Sequence, residues 1–247
     1  MRILLILTWL VGLLFAQNVR IAAAANMGYA LPKIIEAFKV MHPDSSIDVA
    51  IGGSGKLRTQ IENGAPFDLF LSANTAYPEA LFQKGIGVKP PVVYALGELV
   101  LFSKDGLNLD EGLSVLVGEK IERIAIANPK TAPYGKAAKE ALQKSGLWEH
   151  VASKIVYGES ISQTVIYTMR MVDVGIIARS ALFSGKLKPY MKHATYQPVD
   201  ADTYEPIAQG MLLLHTPKEN PDATALYDFL QTAQARKILQ AYGYRIP

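Results

Sequence analysis

Two periods of apolar residues alternate along this chain. Val19–Ala24 is a short apolar run of strand length, and Ala22–Ala25 are all small. Leu31, Ile34, Ile35 and Phe38 then recur at i, i+3, i+4 and i+7, the spacing of one helix face. Pro32 suits the first turn of that helix, where a missing N–H costs nothing, and His42-Pro43-Asp44 stops it. Ile47–Ile51 predicts a second strand, a helix is expected to start near Lys56, and Asp68–Ser72 predicts a third strand. Strand, helix, strand, helix and strand in succession predict a parallel sheet with crossover helices.

A second α/β pattern begins after Pro90-Pro91. Leu99–Ser103 and Arg123–Ala127 read as strands, with Leu113–Val117 as a short helix between them. The polar loop Asn128–Gly135 opens a helix over Lys136–Ser145, and Gly146 sits where a helix C-cap glycine belongs. Lys154–Tyr157 is a strand, Gly158-Glu159-Ser160 a turn, Ile161–Met171 a helix and Val174–Ala178 another strand. Ile207–His215 is a long apolar strand, and Ala223–Tyr242 is expected to be one helix with Leu226, Phe229, Leu230 and Ile238 on one side. No repeat of fixed period interrupts this order.

The start of the chain has a different character. Arg2 followed by apolar Ile3–Phe15 and then Ala16-Gln17 has the layout of a cleaved export signal over residues 1–16. An uncleaved anchor is the competing reading, but the apolar run is short of the ~20 residues a spanning helix needs. With those residues removed, 24 basic residues face 22 acidic ones, a net charge of +2. That balance carries no electrostatic footprint for nucleic acid. The chain has no cysteine, so neither disulfides nor thiol chemistry are available to it.

Catalytic chemistry has little to stand on. His42, His150, His193 and His215 are scattered, without the spacing of a metal site, and no Gly-x-Ser-x-Gly elbow is present. Tyr242 and Tyr244, around Gly243, read as packing residues. Anion binding has more support. In the run Ile51-Gly52-Gly53-Ser54-Gly55-Lys56, glycines permit a sharp turn and close approach of a ligand, and Ser54 stands at the opening of a helix. A helix start presents unpaired N–H groups and about half a positive charge, which together hold anions. The plain alternative is a tight turn capped by Ser54. A nucleotide P-loop is excluded, since Ala50 and Leu57 replace its glycine and its hydroxyl residue. Similar junctions occur at Ala25-Asn26-Met27, Pro133-Tyr134-Gly135 and Ser160-Ile161-Ser162. All four fall at the carboxyl ends of predicted strands, two from each α/β unit, so one cleft can be lined from both sides.

The run Gln60–Asn74, with Gln60-Ile61-Glu62-Asn63-Gly64-Ala65-Pro66-Phe67-Asp68-Leu69-Phe70 as its most specific part, resembles the periplasmic molybdate-binding proteins of ABC importers. Ala22–Met27, Asn128-Pro129, Pro133–Leu142, Val174–Ile177 and the closing Tyr227–Leu230 with Tyr242-Gly243-Tyr244 extend the resemblance over nearly the whole mature chain. It implies an α/β fold of the type II periplasmic binding class, with two lobes, two chain crossings and a ligand cleft between the lobes. The crossings are expected near Tyr94–Gly97 and Tyr204–Pro206, giving one lobe of residues 19–93 plus 205–247 and another of residues 94–204. It also implies a monomeric periplasmic receptor that captures molybdate or tungstate and passes it to the permease of an ABC importer, with no enzymatic activity, no cofactor and no nucleic-acid partner.

In that family the oxyanion is held by hydroxyls and backbone N–H groups, with no direct ligand to its metal atom. The family's first serine falls here on Asn26, whose side-chain amide is also able to donate. Its second serine matches Ser54, and its backbone donors fall on Tyr134 and Ile161. Its tyrosine donor falls on Ala178, and the adjacent Arg179 either replaces that bond or forms an outward salt bridge. Two other readings stand beside this one: the same fold holding sulfate or another small oxyanion, and an enzyme clamping a phosphorylated small molecule with Lys56 and Arg58.

Overall fold

The computed structural model describes residues 18–192 and 194–247. The export signal expected over residues 1–16, and His193, lie outside the described residues.

Two five-stranded sheets organise the described residues. The first contains β1 (Val19–Ala24), β2 (Ile47–Gly52), β3 (Leu69–Leu71), β4 (Val92–Gly97) and a late strand, β10 (Ile207–Leu213), in the order β2-β1-β3-β10-β4. The second contains β5 (Leu99–Ser103), β6 (Ile124–Ala127), β7 (Ile155–Gly158), β8 (Val174–Ala178) and β9 (Thr195–Pro198), in the order β7-β6-β8-β5-β9. β1 runs parallel to both neighbours, with Ala23 opposite Ile51 and Leu71. β10 enters antiparallel to β3 and β4, so the first sheet is mixed rather than wholly parallel. That strand is the chain's return from the second sheet, and its register pairs Ile207 with Gly97. Only Glu98 separates β4 from β5, so the outward passage falls there, one residue beyond the expected Tyr94–Gly97.

The helices follow from the apolar spacing. In α1 (Leu31–Lys39), Leu31, Ile34 and Phe38 are buried on one face, with Pro32 in the first turn. α2 (Ser54–Glu62) starts two residues earlier than the expected Lys56, because the extended Gly53 is its N-cap. α3 (Ala76–Gln83) buries only Pro78 and Leu81, too few to set a period legible in the sequence. The second unit adds α4 (Pro133–Lys144), the short α5 (Trp148–Val151) and α6 (Ile161–Arg170). The single helix expected over Ala223–Tyr242 is instead two, α7 (Pro221–Phe229) and α8 (Ala233–Ala241). Thr232 makes the break: its hydroxyl bonds Phe229 O at 2.7 Å and accepts the Ala235 N–H at 3.3 Å, capping a new helix start.

Each sheet has its own core. Val19, Ile21, Phe38, Leu69, Leu71, Met211 and Leu226 pack in the first lobe. Leu99, Leu101, Ile124, Ile126, Leu142 and Ile176 pack in the second. Ala24, Ala25 and Ala73 of the first lobe are buried in the second lobe's cluster beside Ala132, Tyr134 and Ile161. The strand ends of the two lobes therefore face each other closely. Small residues at those ends make the approach possible, which accounts for Ala24 and Ala25, while Ala22 and Ala23 pack within the first lobe.

Candidate functional site

All four strand–helix junctions singled out in the sequence meet at that contact. Asn26, Ser54, Tyr134 and Ile161 line one small cavity together with Ala24, Ala25, Gly52, Gly53, Ala73, Ala132 and Pro133. Each follows the carboxyl end of a strand, directly for Asn26, Ser54 and Ile161 and through the loop after β6 for Tyr134, the side on which open α/β sheets hold ligands. The cavity is small, with room for a compact object and nothing extended. No lining residue bears a formal charge.

What the lining offers is donors. Ser54, Tyr134 and Ile161 are the first or second residues of α2, α4 and α6, and Asn26 is the second residue of a 3-10 turn, Ala25–Gly28. Their N–H groups precede the first helical hydrogen bond and have no acceptor among the described residues. Three helix starts aimed at one void sum their partial positive charges there. Ser54 is not a cap: its Oγ accepts the Ala73 N–H at 3.0 Å, and the residue is fully buried. The cap of α6 is Ser160, whose Oγ accepts the Gln163 N–H at 3.3 Å, leaving Ile161 N–H free.

Asn26 departs from the expectation for its side chain. Nδ2 donates to Gln209 Oε1 at 2.8 Å and to Tyr244 OH at 2.9 Å, so both amide protons are committed inside the first lobe. Tyr244 OH donates in turn to Asn26 O at 2.9 Å. The group that Asn26 has free to donate is its backbone N–H, while Oδ1 is buried without a partner. Burial pushes the Tyr94, Tyr134 and Tyr244 phenols above the usual tyrosine range, so all three are neutral hydroxyls around the site. Gln209 and Tyr244 were not legible as site neighbours; the single signal was a lone Gln inside the apolar run Ile207–Leu213.

Arg179 does not line the cavity. Its guanidinium meets Glu98 at 2.5 Å, and Arg245 meets the same carboxylate at 3.1 Å. Ala178 is fully buried and offers no side-chain donor. Lys56 and Arg58 also point elsewhere. Lys56 pairs with Glu159 at 2.9 Å across the lobes, and Arg58 pairs with Glu62 at 2.9 Å. No group of His, Cys, Asp and Glu among the described residues is arranged to hold a metal ion.

Further bonds join the lobes around the cavity. Gly55 N–H donates to Thr131 O at 3.0 Å, and Ser162 Oγ donates to Ala25 O at 2.9 Å. A Cβ on Gly55 would lie 2.9 Å from Thr131 O. The glycine turn is thus shaped for close approach of the opposite lobe.

The family model for bacterial extracellular solute-binding proteins matches residues 19–245. A molybdate-binding protein ModA from Azotobacter vinelandii is 37% identical over 93% of this chain and 90% of its own length. The ModA of Rhodobacter capsulatus is 39% identical over 93% of this chain and 88% of its own. This chain belongs to the ModA family of bacterial extracellular solute-binding proteins. Its structure agrees: the periplasmic molybdate-binding protein of Azotobacter vinelandii superposes with a TM-score of 0.84 at 28% identity, covering 93% of this chain and 99% of that one. The sulfate-binding protein SubI of Mycobacterium tuberculosis shares the fold, with a TM-score of 0.77 at 17% identity over 93% of this chain and 87% of its own. The ModA family fold is thus an α/β, two-lobed periplasmic binding fold, built here on two sheets with the cavity between them. No helix among the described residues is long and apolar enough to cross a membrane.

Proposed function

We propose that this chain is an exported receptor that captures molybdate or tungstate between its lobes and delivers it to the permease of an ABC importer. One observation carries the reading: first-turn N–H groups from both lobes, with the Ser54 hydroxyl, converge on a compact cavity that no charged side chain lines. Asn26, Ser54, Tyr134 and Ile161 supply the donors, and Arg179 stays outside. A tetrahedral dianion needs acceptors for nothing and donors for everything, and this lining matches that demand. Charge-assisted hydrogen bonds contribute roughly 1.5–3 kcal/mol each. About five of them, less the cost of closure and desolvation, reach the ~12 kcal/mol of nanomolar affinity.

The receptor binds and releases without chemistry. Lys56 and Arg58, the clamps an enzyme on phosphorylated substrates would need, are engaged with Glu159 and Glu62. The protein acts outside the cytoplasm as a monomer, after loss of its export signal, and uses no cofactor.

A second ligand class has one feature in its favour. The unpartnered Asn26 Oδ1 is an acceptor, and a protonated oxyanion such as hydrogen phosphate would bring it a proton.

Calorimetric titration of refolded, ligand-free protein with molybdate, tungstate, sulfate and phosphate tests the reading. One-to-one binding of molybdate or tungstate, with sulfate and phosphate much weaker, is expected. Tighter binding of phosphate would give the site to protonated oxyanions, and silence from all four would refute the receptor reading.

A further inference from the structure

Among the described residues, Gln209 is the one side-chain amide that hydrogen-bonds a cavity residue from each lobe. It stands on β10, inside an otherwise apolar strand, and is completely buried. A buried amide is costly unless its groups are paired. Its Oε1 accepts Asn26 Nδ2 at 2.8 Å and Tyr94 OH at 3.0 Å, and its Nε2 donates to Tyr134 OH at 3.2 Å. Asn26 belongs to the first lobe and Tyr134 to the second, and both line the cavity.

The backbone is shaped for this. The β4–β10 ladder shifts register between Gln209 and Gly210, an irregularity of the kind that re-aims a side chain. Gly97, on neighbouring β4 and paired with Ile207, leaves room for the Tyr134 phenol, since a Cβ there would lie 2.2 Å from its oxygen and 3.0 Å from Gln209 Nε2. β4 and β10 are also the strands next to the passages between lobes.

We propose that Gln209 is a positioning residue for the oxyanion site, holding Asn26 and Tyr134 in the relative placement that lets donors of both lobes reach one anion. The proposal rests on the receptor reading above. Donors to a compact anion must agree in position to a few tenths of an ångström, because hydrogen bonds weaken steeply outside their preferred distance and angle. A bond made beside the passage strands sets that agreement without touching the ligand. Removing it leaves the lobes able to meet the anion, but lets it go sooner.

The test uses stopped-flow capture and release of molybdate by the parent protein, Gln209→Met, Tyr134→Phe and the double variant. Gln209→Met keeps the length of the side chain and deletes all three hydrogen bonds. Release is expected to quicken by about tenfold or more in Gln209→Met while capture stays within about threefold. Tyr134→Phe, which deletes only the Gln209 bond to the second lobe, should quicken release less, and the double variant should release no faster than Gln209→Met alone. A release rate within about twofold of the parent overturns the proposal, even if thermal stability falls, since that is a purely structural role. If Gln209→Met does not fold, Tyr134→Phe decides alone, and unchanged release overturns the proposal. A parent protein that captures none of the four oxyanions refutes the receptor reading, and is told apart because it fails before any variant is compared.

Discussion

Ser54 Oγ accepts the backbone N–H of Ala73 at 3.0 Å. That bond occupies a lone pair of the hydroxyl and leaves its proton to be given to a guest in the cavity both residues line. Ser54 is thereby oriented by the strand end beside it, before any ligand arrives. Ser54→Ala is expected to weaken molybdate binding by about 1.5–3 kcal/mol, roughly 10- to 150-fold. It also strands the Ala73 N–H, so the ligand-free protein should lose roughly 1–3 kcal/mol of stability. Titration calorimetry with a denaturant melt of the same sample separates the two effects. Unchanged affinity would remove Ser54 from the site.

Arg179 lies at the passage between lobes with Glu98, and its side chain is 44% exposed. An exposed ion pair of this kind contributes about 0–1 kcal/mol. Arg179→Ala should therefore leave oxyanion affinity within about twofold of the parent. A loss of about tenfold or more would make it a ligand contact, in place of the donor that Ala178 cannot supply.

The ion pair between Lys56 and Glu159 spans the mouth of the cleft with both side chains more than half exposed. It favours contact between lobes weakly, by about 0.2–1 kcal/mol, and salt screens it. Glu159→Gln is expected to weaken molybdate binding by a few-fold at most at low ionic strength, and the difference should vanish near ~1 M salt. A salt-independent loss would assign Glu159 another role. Equal affinity at every salt concentration would mean that the pair contributes nothing to closure.

The residues that the sequence exposed, and those it hid, differ in how far their partners lie along the chain. The junctions that carry Asn26, Ser54, Tyr134 and Ile161 are readable because each is local: a strand end, small or polar residues, a helix start. The choice of these four residues as donors rests on the family resemblance, since junctions of this composition are common. Gln209 and Tyr244 reach Asn26 across 183 and 218 residues of sequence, and no local period announces such a contact. Tyr244 reads as packing because it is packing, buried in the first core, while its hydroxyl does something else. The break between α7 and α8 was hidden for another reason. The apolar spacing of Leu226, Phe229, Leu230 and Ile238 survives it, and only the Thr232 cap marks the stop.

Burial of the Tyr94, Tyr134 and Tyr244 phenols has a consequence for alkaline stability. Each folded-state pKa is raised above the ordinary value of 10.0 by desolvation, so the folded protein holds these protons more tightly than the unfolded chain. For a group shifted this way, the stabilisation is complete below the unfolded pKa and is lost as pH rises through the folded one. Thermal stability of the ligand-free protein should then show no loss from these groups through neutral pH and should decline above about pH 10. Tyr134→Phe should shallow that decline. A slope unchanged in the variant would mean that other groups drive the alkaline transition.

Gly97→Ala probes the passage between lobes by volume alone. The backbone at Gly97 tolerates alanine, being an ordinary strand position with no positive φ. The added Cβ would lie 2.2 Å from the Tyr134 hydroxyl oxygen and 2.8 Å from its ring carbon. That ring is fully buried, so relief must come from moving α4, which carries the Tyr134 N–H, or from opening the lobes. Overpacking of this kind costs typically 1–3 kcal/mol, and here that cost falls on the closed arrangement. The expected outcome is molybdate affinity lowered by about tenfold or more, with a smaller change in the melting temperature of the ligand-free protein. Small-angle scattering with saturating ligand should then show a less compact particle than the parent. Full affinity with parental compactness would mean that the phenol has another place to go, and that its seat against Gly97 is not part of closure.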